Sequence, residues 1–500
     1  MIPGLLAQDI AQSLREFITT GFETDTWPFS GKFEALVSKS DDGDAFVKGP
    51  YVSIGLPFLK NTERLDFFSS FATEHSPFAH QELAWSRLNG ARPKSTIVAT
   101  GTGSGKTECF LYPLLEHCSV NSGPGIKAII IYPMNALAGD QAKRFASVIH
   151  KTAELNGKVR VGLFIGGGDS TDQSIMGPEQ VITCKKTLRD SPPDILLTNY
   201  KMLDYLLMRP KDQALWAHNR EDALRYLVVD ELHTFDGAQG SDLAMLIRRL
   251  KARLGVSREN LTCVGTSATL GSDNKINELA KYAADIFDTQ FDRSSIVGET
   301  RQSRDQFLGM IEYMMLDPGF KTAELRPEYY PDLDQYLNAQ ARLFFGDDEV
   351  INLKTMAGRI ELGVLLKKHP LTHNVLKACQ GTIALKALVP AIQRQLPPNL
   401  KSAPELVIIS LLSLMAQARG QEYPGQPLVS IRLQLWAREL RRIVSRVGTD
   451  NGPYPVDLYF SDDLKKETDE LYLPLVQCSE CHTTAWLTKI DQGSSYVDQE

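Results

Sequence analysis

The sequence has no long apolar run, few cysteines and no excess of positive charge. No segment of the 500 residues reaches the roughly 18 apolar residues of a membrane span, and no positive region precedes an apolar run at the N-terminus. Five of the seven cysteines are scattered singly, which argues against a disulfide framework. The net charge of −7 argues against a wholly basic nucleic-acid coat protein, but it is compatible with a local basic groove. These features predict a cytoplasmic protein without a membrane partner.

From about residue 80, short runs rich in β-branched residues alternate with stretches long enough to hold a helix. The runs lie at 95–100, 127–133, 159–166, 194–200, 225–231 and 261–269. This alternation is typical of an α/β fold in which helices cover both faces of a parallel sheet. Ligands of such folds bind beyond the carboxyl ends of the strands, so we expect functional residues directly after the runs.

A glycine-rich loop, TGTGSGKT at 100–107, follows the first run and precedes a predicted helix. Small residues let backbone N–H groups approach phosphate oxygens, and the helix directs its positive N-terminus at them. Lys106 would contact the outer phosphates, and the Thr107 hydroxyl would ligate Mg²⁺. The predicted phosphate-binding residues are Thr102, Gly103, Ser104, Gly105, Lys106 and Thr107.

Two adjacent carboxylates end the fifth run, in the stretch RYLVVDELH at 225–233. A phosphate loop needs such a strand because Mg²⁺ and the attacking water must both be held beside the terminal phosphate. We expect Asp230 to hold the metal and Glu231 to orient and polarise the water, so that Lys106, Asp230 and Glu231 form the catalytic set. His233 would connect this set to the rest of the domain.

Seven signals between residues 77 and 270 resemble, in order, those of the first motor domain of superfamily 2 DEAD/DEAH-box helicases. They are SPFAHQELAW, the glycine-rich loop, YPMNALAGDQ, the glycines at 166–168, LLTNYKMLD, DELH and TSATLG. The loop has Thr100 where the strict phosphate-loop pattern has glycine, a departure typical of superfamily 2. The resemblance implies a RecA-like P-loop NTPase domain that uses ATP and Mg²⁺.

The same resemblance implies roles for residues outside the loop and the carboxylate pair. Phe78 and Gln81 would contact the adenine base, while His233, Ser267 and Thr269 would couple hydrolysis to movement of the strand. The implied nucleic-acid contacts are Pro133, Asn135, Ala136, Gly167, Thr198 and Asn199.

Two further segments, at 230–255 and 49–58, resemble large bacterial antiphage-defence helicases, Druantia-type helicases in particular, and mitomycin-repair-type helicases with a cysteine-rich module. The resemblance implies an ATP-dependent DNA helicase or translocase. Its partners would be single-stranded or tailed duplex DNA and other proteins of a defence system. An ATP-gated nucleic-acid sensor or scaffold that recruits a nuclease is the alternative, and an RNA helicase is a third interpretation.

We expect four regions in the chain. These are an N-terminal accessory region (1–75), the RecA-like motor domain (76–282), a mainly helical insertion with a winged-helix-like alternative (283–425), and the start of a further domain (426–500). The segment SIRLQLWARELRRIVSRVG predicts a helix with Arg438, Arg442 and Arg446 on one face. That stripe would either follow a phosphate backbone or, as we favour, form a solvated face with Trp436 in the core.

The pair Cys478 and Cys481 has the spacing of half a tetrahedral zinc site, with the partner ligands expected beyond residue 500. A redox pair or two unrelated thiols is the alternative, and a c-type haem is disfavoured because no export signal precedes it. The arginine-rich motif of a second motor domain, resembling Q-x-x-G-R-x-G-R, does not occur in 271–500. We therefore expect the N-terminal portion of a longer protein, which binds ATP and turns it over slowly by itself.

Overall fold

The computed structural model of the chain describes thirteen segments. They are residues 2–22, 26–39, 45–61, 63–101, 103–166, 173–257, 259–268, 273–312, 314–346, 351–421, 425–447, 456–464 and 471–488. These segments form two compact units, which we name by their content. The sheet unit is Phe58–Arg301, and the helical unit combines Met1–Pro57 with Gln302–Glu500.

Helices and strands of the described residues are numbered in chain order. The helices are α1 (Pro3–Gly21), α2 (Lys32–Val37), α3 (Ala79–Leu88), α4 (Lys106–Val120), α5 (Asn135–Lys151), α6 (Lys185–Asp190), α7 (Tyr200–Met208), α8 (Gly237–Leu254), α9 (Asp273–Phe287), α10 (Arg304–Phe307), α11 (Leu333–Phe345), α12 (Met356–Lys368), α13 (Pro370–Ala378), α14 (Val389–Ile392) and α15 (Pro404–Gln417). The strands are β1 (Val47–Gly55), β2 (Thr96–Ala99), β3 (Ala128–Tyr132), β4 (Val161–Phe164), β5 (Ile195–Asn199), β6 (Tyr226–Val229), β7 (Thr262–Ser267), β8 (Ile296–Gly298), β9 (Ile383–Ala384), β10 (Ser430–Ala437), β11 (Ile443–Arg446), β12 (Leu458–Phe460), β13 (Tyr472–Gln477) and β14 (Thr484–Trp486). Among these residues no helix combines the length and the apolar character needed to cross a lipid bilayer.

A seven-stranded parallel sheet with the order β4-β5-β3-β6-β7-β2-β8 organises the sheet unit. Its central strands are buried on both faces. In β3, Ile129 and Ile131 pack into the core on one face, whereas Ala128 and Ile130 pack into the core on the other. Because both faces are covered, the strands are continuous apolar runs, as parallel sheets require. The predicted α/β fold is confirmed, and all six predicted runs contain a strand.

The seventh strand, β8, was not predicted from the sequence. Its three residues pair in parallel with β2, from Ile97↔Ile296 to Ala99↔Gly298. Because a three-residue strand at the edge of a sheet needs little apolar sequence, it leaves almost no periodic signal. The sheet therefore continues past residue 282, and the sheet unit ends at Arg301.

The helical unit is built around α15, whose residues from Val407 to Met415 are all buried. A helix that is apolar on every side needs packing partners all round, and α1, α11, α12 and α14 supply them. The predicted mainly helical character after the α/β domain is thus confirmed. The N-terminal residues belong to this unit through β1, which pairs antiparallel with β10 and with the short strand β9. The N-terminal region predicted at 1–75 is accordingly divided between the two units at residues 57 and 58.

The predicted arginine-striped helix after residue 430 is wrong. The segment forms the strands β10 and β11 with a short 3-10 turn between them. Trp436, expected in a core, has 62% of its surface exposed. Arg438 pairs with Asp463, and the Arg438 guanidinium lies 4.6 Å from the ring centroid of Phe460. These arginines therefore do not form a continuous stripe open to phosphates.

Candidate functional site

The glycine-rich loop joins β2 to α4 at the carboxyl edge of the sheet. Gly103 and Gly105 have φ values of +81° and +75°, which residues with a side chain rarely adopt. A Cβ added at Gly105 would lie 2.3 Å from Gln81 Nε2, so the close approach also requires glycine. The buried Ser104 hydroxyl donates to the Gly101 carbonyl (2.8 Å) and fixes the curvature of the loop.

Two residues of α3, His80 and Gln81, form hydrogen bonds to carbonyl groups of the loop. Gln81 Nε2 donates to the Gly105 carbonyl (3.2 Å), and Gln81 Oε1 accepts from the Phe78 N–H (2.9 Å). His80 Nε2 lies 2.9 Å from the Ser104 carbonyl. Burial lowers the pKa of His80, so the neutral imidazole donates this bond. The Phe78 ring stacks on His80 with centroids 5.6 Å apart. The structure thus brings Phe78 and Gln81 to the loop, and their contacts with adenine stay a prediction.

Lys106 and the carboxylate pair meet at the mouth of the loop. Lys106 Nζ donates to Glu231 Oε1 at 3.0 Å, and the side chains are 18% and 28% exposed. Asp230 is buried, and this burial raises the pKa of its carboxyl group. Glu231 has the left-handed φ of +50°, uncommon for a residue with a side chain. The predicted catalytic set is therefore assembled in one place.

Strand β7 connects the carboxylates to the predicted coupling residues. The Thr266 hydroxyl donates to Asp230 Oδ1 and accepts from the Glu231 N–H at 2.9 Å. His233 Nδ1 lies 3.4 Å from Ser267 Oγ and 3.4 Å from Glu231 Oε2. Thr266 was not among the predicted site residues, although it begins the TSATLG motif. Movement at β7 would change the position of both carboxylates.

The residues present fit a magnesium-bound nucleoside triphosphate. A Cβ added at Gly103 would meet nothing within 4 Å, so the loop backbone there is open to a ligand. Lys106 offers a cation, Thr107 offers a hydroxyl at the start of α4, and Asp230 offers an oxygen ligand of the kind Mg²⁺ prefers. A cation beside Asp230 would also offset the cost of its buried charge. Thr102 and Thr269, predicted for this site, lie outside the described residues.

Sequence reasoning missed a carboxylate that supports the base of the loop. Glu299 follows β8, and its Oε2 accepts from the Gly101 N–H at 2.8 Å. Arg301 Nε donates to Glu299 Oε1 at 2.8 Å, and its guanidinium lies 4.1 Å from the ring centroid of Phe58. Phe58 in turn contacts Phe78, with centroids 5.0 Å apart. Only recognition of β8 as a strand beside β2 would have indicated Glu299.

The predicted nucleic-acid contacts divide into an exposed group and a buried residue. Asn135 Nδ2 donates to the Gly166 carbonyl (3.0 Å), and Asn199 Nδ2 donates to Asn135 Oδ1 (2.6 Å). These bonds join the carboxyl ends of β3, β4 and β5, and Pro133 and Ala136 lie in the same segment as Asn135. Thr198 is fully buried, and its hydroxyl donates to the Phe164 carbonyl (2.7 Å), so its side chain is not offered to a ligand. Gly167 lies outside the described residues.

Cys478 and Cys481 are both exposed, and no disulfide joins them. Within the thirteen described segments, no three histidine, cysteine, aspartate or glutamate side chains are grouped so as to hold a metal ion. Tetrahedral zinc sites need four ligands, so the described residues alone do not form one. The zinc site therefore stays a prediction.

Residues 78–277 match the family model "DEAD/DEAH box helicase". The matched range contains the loop, the carboxylate pair and the coupling residues, and it excludes Glu299 and Arg301. This stretch is thus a helicase domain of the DEAD/DEAH type, a class whose members use ATP and Mg²⁺.

Among curated proteins, the chain is similar to the Druantia protein DruE of Escherichia coli (strain UMEA 4076-1). The two are 29% identical over 327 residues, and the match covers 46% of this chain and 18% of DruE. The ATP-dependent helicase HRQ1 of Saccharomyces cerevisiae (strain ATCC 204508 / S288c) is 31% identical over 202 residues, with 40% of this chain and 17% of HRQ1 covered. The matched region thus spans less than a fifth of the length of either relative. A solved structure of the DUF1998 helicase MrfA bound to DNA matches 50% of this chain and 32% of its own, at 22% identity and a TM-score of 0.38.

Proposed function

We propose that this chain carries the ATP-hydrolysing motor domain of a DNA helicase or translocase that acts in antiphage defence or DNA repair. The observation that carries the proposal is the assembly of Lys106, Asp230 and Glu231 at the open face of the glycine-rich loop. Similarity to the Druantia protein supports the role in defence. The choice of DNA rests on the resemblance of segments 49–58 and 230–255 to defence and repair helicases.

Each residue of the site has a separate role in hydrolysis. Bound Mg²⁺ and ATP would supply a polarised terminal phosphate. Lys106 would bind and neutralise the outer phosphate oxygens, and Thr107 with Asp230 would hold the metal. Glu231 orients the attacking water and accepts hydrogen bonds from it. In the structure Glu231 pairs with Lys106, and we expect a bound phosphate to take the place of this carboxylate beside Lys106.

Nucleic acid would contact the carboxyl ends of β3, β4 and β5, whereas the glycine-rich loop follows β2 towards the other side of the sheet. Asn135 and Asn199 present polar groups beside the backbone of Gly166, an arrangement suited to a sugar-phosphate chain. His233 and Ser267 would relay the state of Glu231 through β7. The arginine-rich motif of a second motor domain does not occur in 271–500, and an arginine of this kind can be worth about 10³–10⁵ in rate. We therefore expect slow turnover by these 500 residues alone.

Strand displacement from a tailed duplex tests the proposal. The full natural protein should separate a labelled DNA strand in the presence of Mg²⁺ and ATP, and Lys106→Ala should not. A matched RNA duplex distinguishes a DNA helicase from an RNA helicase. Tight ATP and DNA binding without displacement or translocation would contradict the motor and favour an ATP-gated sensor that recruits a nuclease.

A further inference from the structure

An open concavity of about 770 Å³ lies in the helical unit, and none of its lining residues belongs to a motif of the helicase family. It is formed by α13, α14, the 3-10 turn that follows α14, and the residue Lys401. We call it the basic concavity. Its polar lining residues are Asn374, Lys377, Gln393, Arg394, Gln395 and Lys401.

The charge of the basic concavity is of one sign. Three cations line it and no carboxylate does, although the chain as a whole carries seven more acidic than basic side chains. Within the described segments, Lys377, Arg394 and Lys401 form no ion pair, so their charges are available to a ligand. Three other cations of the same unit are paired with carboxylates: Lys354 with Asp334, Lys368 with Glu312 and Arg442 with Asp462.

The backbone under the basic concavity is fixed by the core. Residues next to the cations in sequence are buried in the core: Leu376 precedes Lys377, Ile392 and Leu396 flank Arg394, and Leu400 precedes Lys401. The backbone positions of the three cations therefore keep their spacing without a ligand, and binding need not order the backbone there. The concavity is therefore a preformed surface.

The chemistry of the lining favours phosphate oxygens over an acidic protein. Protein interfaces depend on apolar and aromatic anchors, whereas the apolar lining here consists of Ala378, Pro390 and Ala391 alone. Cations and amides that donate hydrogen bonds are the groups that bind the phosphates of nucleic acids. Without an aromatic ring, the concavity offers no platform on which a base could stack.

We propose that the basic concavity binds the sugar-phosphate backbone of a DNA strand, as a contact separate from those of the helicase domain. This inference rests on the proposed function, because it requires that DNA is the partner. Each phosphate neutralised releases condensed counterions, so the site adds to the salt dependence of binding.

The test compares two triple variants of the full natural protein. The first is Lys377→Gln, Arg394→Gln and Lys401→Gln. The second, Lys354→Gln, Lys368→Gln and Arg442→Gln, removes the same charges from ion pairs of the same unit. Affinity for a fluorescent single-stranded oligonucleotide is measured over a range of salt concentrations. Loss of three phosphate contacts lowers the slope of log affinity against log salt by about 2. The control triple should leave the slope close to that of the wild type.

Two further measurements separate the possible failures. Thermal unfolding and ATP binding like those of the wild type show that the first triple is folded with an intact nucleotide site. Equal slopes for both triples would overturn the proposal, and binding of a polyglutamate peptide by the wild type alone would assign the surface to acidic proteins. Wild-type protein that fails to bind or respond to DNA at all would instead refute the proposed function.

Discussion

The ion pair between Lys106 and Glu231 leads to a specific prediction about ATP affinity. In the structure Lys106 Nζ and Glu231 Oε1 are 3.0 Å apart, and both side chains are mostly buried. A terminal phosphate must replace Glu231 beside Lys106, so breaking this pair is part of the cost of binding. Glu231→Gln removes the charge but keeps the shape of the side chain. We therefore expect this variant to bind ATP more tightly than the wild type while losing turnover.

The magnitude follows from the exposure of the pair. A hydrogen bond between charged groups contributes about 1.5–3 kcal/mol. Because solvent screens this partly open site, we expect Glu231→Gln to remove about 1 kcal/mol of the stabilisation of the ion pair. That corresponds to roughly fivefold tighter binding of ATP. Because Glu231 would act on the attacking water, turnover should fall by about 10²–10⁴-fold. The gain in affinity should shrink as salt rises, since the ion pair is partly open to solvent and salt screens it.

Equilibrium titration with a fluorescent ATP analogue and Mg²⁺ measures this gain. The matched control is Asp204→Asn, which removes one negative charge from the ion pair with Arg249 elsewhere in the sheet unit. That variant should bind ATP like the wild type. Weaker or unchanged binding by Glu231→Gln, with the control unaffected, would refute the view that the ion pair competes with phosphate.

Two further predictions concern residues outside the helicase motifs. Glu299→Ala removes the acceptor of the Gly101 N–H and should weaken ATP binding roughly tenfold. Glu299→Gln keeps an acceptor oxygen and should restore most of the affinity in the same titration; equal losses in both variants would contradict a positioning role. Burial lowers the pKa of His369 from 6.5 to about 4. As pH drops from 6.5 towards 4, His369 is protonated in the unfolded chain but not in the folded protein, so the free energy of unfolding falls. His369→Asn keeps a capping side chain for α13, and urea unfolding should show a smaller loss of stability on acidification than in the wild type; an equal loss would refute this contribution.

Much of the sheet unit could be predicted because its signals are local. The five-residue strand β3 is buried throughout, so its sequence is a continuous apolar run. The conformation of the loop at 100–107 could be predicted from Gly103 and Gly105, because both adopt positive φ values that favour glycine. Burial and backbone conformation leave direct traces in the sequence, and the order of the motifs then fixes which strands adjoin the site.

Other features depend on contacts that no local pattern records. Glu299 reaches the loop only because β8 pairs with β2, almost two hundred residues earlier in the chain. The segment after residue 430 was misread because its arginines recur at helical spacing. Its apolar residues Ile431, Leu433 and Leu435 alternate with exposed ones, and this period of two forms β10. Antiparallel pairing with β1 then stabilises this segment as the strand β10 instead of a helix.

The central claim, an ATP-driven motor coupled to DNA, is tested most directly by steady-state ATP turnover of the full natural protein with and without single-stranded DNA. Our account predicts strong stimulation by DNA that both Lys106→Ala and Glu231→Gln abolish. Tight binding of ATP and DNA without stimulated turnover would contradict it.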